Sequence, residues 1–290
     1  MPVVAGHIFY EQKQKKKMNN ITFVCPLNLK IINKLKDKEI VIVAHDELEE
    51  TFALFDSVIK TNPIEFLWIK KENKSIVDTE PTEKWAKYPI RYYAKALGAK
   101  EEFFYKFEKF TPLNIRFFLP YSVENLTSLQ FLTSLGFHTG VLFSSSDIIW
   151  EKLLDLFYYH HYTKVGNGTI EPFNYIVKNY KQKQGFNLCA DFGNVYFANP
   201  SKYIHVENDE QLFVIDIFGN KIYLNESLDF FHKLSENEIY KNISQTWKTH
   251  FLENTKCVKC PAWRICQGKF FSQESEYPNC SEFFTTIIES

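Results

Sequence analysis

The sequence predicts an α/β protein: a degenerate partial (β/α) barrel over residues 21–180, then a smaller α+β metal-binding domain over residues 181–290. Three observations predict it. Apolar, strand-like runs alternate with helical segments of ten or more residues up to Tyr180, the pattern of parallel β/α units. A charged polar stretch, Lys178 to Gly185, breaks that pattern and is followed by short strands with tight-turn signals. Finally, four of the six cysteines fall within residues 257–280.

Composition fits such a fold. Apolar residues make up 45% of the 290, with 28 Phe and 16 Tyr, which is enough to bury a substantial core and too much for a disordered chain. A formal net charge of −1 provides no global field to draw in nucleic acid or an anionic membrane, so a partner must be recognised through a local site. No apolar run approaches the roughly 20 residues that a membrane span needs. Residues 1–20 place a basic cluster after a short apolar piece, the reverse of a secretory signal. They read as a disordered lead-in, with Met18 as an alternative start. The expected compartment is cytoplasmic, where clustered thiols bind metal or do redox chemistry more often than they form disulfides.

The elements follow in order. From Ile40, "IVIVA" reads as a strand covered on both faces, with a helix-like segment, "ELEETFALFDSVIK", behind it. "IEFLWIK" is the next strand. Residues 90–110, "IRYYAKALGAKEEFFYKFEKF", show helical spacing broken near Gly98. "NIRFFLP" reads as strand, "SVENLTSLQFLTSLG" as a helix capped by Ser122 and closed by Gly136, and "FHTGVLFS" as strand. "SSSDIIWEKLLDLFYYHHY" gives a further helix. Four to five such units suit an open doubly wound sheet or a barrel, and of the barrels a partial one, because a full eight-unit barrel takes about 250 residues. Beyond the boundary, residues 186–199 and 211–225 each carry a Gly-Asn turn between apolar arms and read as hairpins. A helix-rich segment, Glu226 to Glu253, leads to the cysteines.

Their spacing is Cys257-x2-Cys260-x5-Cys266-x13-Cys280. Two thiolates two residues apart can grip one metal from a single turn, and two more close the coordination. Four thiolates suit tetrahedral zinc or an iron–sulfur cluster, and spacing alone does not separate the two.

The run "CVKCPAWRICQGKF" with Cys280 resembles the C-terminal half of a SPASM domain, the auxiliary-cluster extension of radical S-adenosylmethionine peptide maturases. That family's run is C-x2-C-x5-C-x3-C with a further cysteine downstream. The resemblance implies one 4Fe–4S cluster held by Cys257, Cys260, Cys266 and Cys280. Two departures imply that a second auxiliary cluster is gone. Phe270 stands where the family's next cysteine falls, and Ala198 stands near the closing position of the upstream hairpin, leaving Cys189 alone. The larger departure is in the core. Cys25 is the sole cysteine before Cys189, so the C-x3-C-x2-C motif that leaves one iron open for S-adenosylmethionine cannot be built. The chain therefore resembles the core-deficient SPASM proteins that accompany ribosomal peptide maturation. An accessory protein that binds a precursor peptide or a partner enzyme, such as an ATP-grasp ligase, is the function implied. Zinc-stapled interaction module and β/α-barrel enzyme with a purely structural metal stand as alternatives.

For the enzyme reading, His45, Asp46 and His138 are strand-end polar residues that would have to converge. His45 and Asp46 follow "IVIVA" at a strand's C-terminal end, where β/α proteins place their sites, although a surface loop is the commoner reading of such a pair. His160 and His161, adjacent on a helix, point about 100° apart and are poorly placed to share a metal. "GNGT", Gly166 to Thr169, lacks the Lys and following helix of a phosphate loop and reads as a turn.

Overall fold

A computed structural model of the chain describes residues 21–44, 52, 58, 60, 62–142, 148–163, 168–174, 176–177, 203–215, 220–229, 231, 236–253, 259–260 and 279–290. It is an α/β structure built on one ten-stranded, mostly parallel sheet. In chain order the elements are β1 (Thr22–Pro26), α1 (Leu29–Lys34), β2 (Glu39–Ala44), β3 (Ile64–Ser75), β4 (Ile90–Ala96), α2 (Lys100–Phe110), β5 (Ile115–Pro120) and α3 (Val123–Ser134). There follow β6 (His138–Leu142), α4 (Trp150–Thr163), β7 (Ile170–Glu171), β8 (Tyr203–Val206), β9 (Gln211–Ile215), β10 (Lys221–Ser227), α5 (Glu238–Glu253) and α6 (Asn279–Glu289). Strands β1 to β7 lie side by side in sequence order and run parallel. On the other flank β8 pairs with β1 in parallel, and β9 and β10 continue the sheet as an antiparallel pair. Described residues on both sides of residue 180 therefore belong to one sheet.

Local chemistry explains the expected elements. In β2, Ile40, Ile42 and Ala44 bury on one face and Val41 on the other, so both faces are covered as the continuous apolar run required. Helix α3 starts where the Ser122 hydroxyl accepts the Asn125 N–H at 3.1 Å, and Gly136 follows its end with φ +92°. The 211–225 hairpin is β9 and β10. The 186–199 hairpin, the 1–20 lead-in and most of the 47–60 helix lie outside the described residues.

Two expectations change. Residues 90–96 form β4 and not the first half of a helix. Ile90, Tyr92 and Ala94 are buried while Arg91, Tyr93 and Lys95 are less so, a period of two. The chain then turns at Gly98, whose φ of +89° favours glycine and where a Cβ would overlap the Val77 side chain, before α2 begins. Residues 22–26, not among the expected strands, form β1, hydrogen-bonded on both sides by β2 and β8.

The core lies on one face of the sheet. Buried residues of α1, α2, α3, α4 and α6 all belong to the same cluster as Phe23, Ile40, Leu67, Tyr92, Phe117 and Val141 of the strands, and α5 packs Tyr240 and Ile243 against it. Phe117 sits at its centre, with ring centroids of Phe103, Phe110, Phe137 and Tyr92 at 5.4–6.4 Å. The opposite face carries a smaller cluster of Val24, Val41, Phe66, Trp68 and Tyr203. Near the C-terminus, α6 returns to the middle of the chain, setting Phe283 and Phe284 against Trp150 at 5.0 and 5.8 Å.

Candidate metal centre

Helix α6 is amphipathic, with Phe283, Phe284 and Ile287 buried at helical spacing. That anchorage fixes its first turn, where Cys280 and Ser281 are half-buried at the margin of the core. Cys260 arrives from the far end of α5 and is half-buried against the same core. The Cys260 sulfur lies 3.2 Å from the Ser281 hydroxyl oxygen. Burial chiefly, and then the charge of neighbouring Cys260, push the Cys280 thiol up from its ordinary value. The neighbouring main-chain N–H groups of Ser281 and Cys280 pull in the opposite direction.

Two of the four predicted ligands, 20 positions apart in sequence, are thus brought together at a helix N-terminus. A helix N-terminus is the end that favours negative charge, as a metal-bound thiolate carries. Cys257 and Cys266 lie outside the described residues, as do Cys189 and Phe270. Among the described residues no group of three or more His, Cys, Asp or Glu side chains converges. The chemistry of the donors fits a thiolate-bound metal: two soft, partly enclosed sulfurs, one of them in contact with a hydroxyl that is able to donate. Cys25 is a different kind of thiol, enclosed in the core on β1 and pushed up to about 12 by burial.

Of the three barrel-mouth residues only His138 is described, and it opens β6 at the N-terminal edge of the parallel strands, not at the C-terminal end where β/α proteins place their sites. His45 and Asp46 themselves lie outside the described residues. His138 has local partners instead. Its Nδ1 accepts the Thr169 N–H at 3.2 Å and contacts the Thr169 hydroxyl at 3.0 Å. A backbone N–H can only donate, so the neutral ring carries its proton on Nε2. Burial, and then the Arg116 and Arg91 charges, hold its pKa below the usual imidazole value, against a smaller opposite pull from Glu171. Arg116 is paired with Glu171 at 2.8 Å. His160 contacts Asn174 Oδ1 at 3.0 Å through Nε2, and His161 stacks on Phe157 at 5.4 Å.

Gly168 of the "GNGT" segment marks a close backbone approach. A Cβ there would overlap the Phe137 carbonyl oxygen and come within 3.0 Å of the Thr133 carbonyl oxygen. Ser281 was not singled out from sequence, and its only signal was adjacency to Cys280. Comparison with known protein families, with curated proteins and with solved structures finds no match.

Proposed function

We propose that the protein is a cytoplasmic SPASM-type accessory protein of ribosomal peptide modification, holding one 4Fe–4S cluster through Cys257, Cys260, Cys266 and Cys280. The observation that carries the reading is the meeting of Cys260 and Cys280 at the first turn of α6. The sequential parallel strand order, with every described helix packed on one face, supports the companion reading of a degenerate partial barrel, since open doubly wound sheets place helices on both faces.

Four thiolates would fill the coordination of the cluster, so its chemistry is structural or electron-transferring, with no iron left open for a substrate or for S-adenosylmethionine. The protein's work is then to bind a precursor peptide, a modifying enzyme such as an ATP-grasp ligase, or both. The opening of His138 away from the C-terminal strand ends argues against the barrel-mouth enzyme.

Anaerobic purification of the full chain tests the reading. A brown protein absorbing near 400 nm with about four irons per chain is expected for a 4Fe–4S centre. A colourless protein holding one zinc would replace the cluster with the zinc-stapled module, and a protein holding neither metal would sink the reading.

A further inference from the structure

A thiolate ligand can only accept hydrogen bonds, and a serine hydroxyl has one proton to give. Once Cys260 is deprotonated, as ligation requires, the 3.2 Å contact between its sulfur and Ser281 Oγ has a single possible direction, from hydroxyl to sulfur. We propose that Ser281 is the positioning residue of the metal centre: its hydroxyl holds and neutralises the Cys260 thiolate, raising the reduction potential of the group bound there and slowing its loss. The inference rests on the proposed metal centre and adds to it a residue that is not itself a ligand.

Geometry makes Ser281 suited to this role. It lies in the first turn of an eleven-residue helix, so its side chain and main chain both point toward the end where the sulfurs gather. Ser281 is also the chain neighbour of Cys280, so the residue whose hydroxyl meets the Cys260 sulfur at 3.2 Å sits directly beside the second described thiol. The helix is held in place two and three positions further on by Phe283 and Phe284, buried against Trp150, so the donor cannot follow a shifting ligand. Hydrogen bonds to ligand sulfur withdraw charge and favour the reduced, more negative state of a cluster, and loss of such outer partners weakens metal binding by about 10- to 100-fold.

The test compares the full-length chain with Ser281→Ala and Ser281→Thr after anaerobic reconstitution. It measures metal content, midpoint potential by redox titration, and the rate of metal transfer to a chelator. All three proteins should load to the same stoichiometry. Ser281→Ala should shift to a more negative midpoint and lose metal about tenfold faster. Ser281→Thr, which keeps the hydroxyl, should restore both, an outcome that a merely structural role for the side chain would not give. Equal potentials and equal loss rates in loaded wild type and Ser281→Ala would overturn the inference while leaving the metal centre standing. A wild-type chain that binds no metal would overturn the centre and the inference together. Should zinc load instead, the potential is silent and the chelator rate alone decides.

Discussion

Replacing Gly168 with alanine tests whether "GNGT" is a packing device. The added methyl meets main-chain oxygens of Phe137 and Thr133, which cannot swing aside as a flexible side chain would. The backbone around residue 168 must retreat by about 1 Å to regain ordinary contact, at a strain of about 1–3 kcal/mol. The same retreat stretches the Thr139 N–H to Thr169 carbonyl bond from 2.7 Å beyond useful range, a loss of about 1 kcal/mol. It also disturbs the Thr169 N–H bond to His138. The total is about 2–4 kcal/mol, which at about 2–4 °C per kcal/mol predicts a fall in Tm of about 4–16 °C. Gly136→Ala is the control, because φ is +92° there but nothing lies within 4 Å of an added Cβ. Only the left-handed backbone is penalised, at about 1–2 kcal/mol. Thermal and urea unfolding at pH 7 measure both. A Gly168→Ala protein within about 0.5 kcal/mol of wild type, the usual range for a surface substitution, would refute the close-approach argument.

Two further outcomes are expected. Cys25, raised to about 12 against an unfolded value near 9, keeps its proton in the native state while the unfolded chain loses it. Its contribution to stability is therefore full below pH 9 and lost as pH rises from about 9 toward 12, with a limiting slope of about 1.4 kcal/mol per pH unit. Cys25→Ala should flatten that part of the stability–pH curve, and in native alkylation at pH 8 the wild-type Cys25 should stay unlabelled. Phe283→Ala removes a buried ring packed on Trp150 and Phe173 and should cost about 3–5 kcal/mol. Because α6 carries Cys280, the same substitution should reduce loading of the proposed centre, measured as metal per chain after reconstitution; undiminished loading would show that Cys280 is held independently of that packing.

Much of the fold was legible because single-residue signals agreed with periodicity. The Ser122 cap and Gly136 bracket α3, and the unbroken apolar run of β2 matches a strand buried on both faces. Residues 90–96 misled because adjacent tyrosines blur the period. Tyr92 is buried and Tyr93 only half so, a difference imposed by neighbouring strands and invisible in local sequence. Strand β1 is only five residues long and lies between β2, 17 positions on, and β8, some 180 positions away. At the candidate metal centre, the cysteine cluster stood out in the sequence because ligand chemistry is written in residue type. Ser281 was not, because its contact with Cys260 depends on how α5 and α6 are brought together in space.

The parallel pairing of β8 with β1 also has a temporal side. Strand β1 leaves the ribosome about 180 residues before its second partner, a wait of roughly ten to thirty-five seconds at ordinary rates of synthesis. During that interval one row of its N–H and C=O groups faces outward in the nascent chain, beside strands that are already able to pair. Strands β8 to β10 therefore extend the sheet from the edge that β1 leaves open, and β1 changes from an edge strand to an interior one only when that distant pairing forms. The pairing is long-range, so it is among the slower contacts for the folding chain to make.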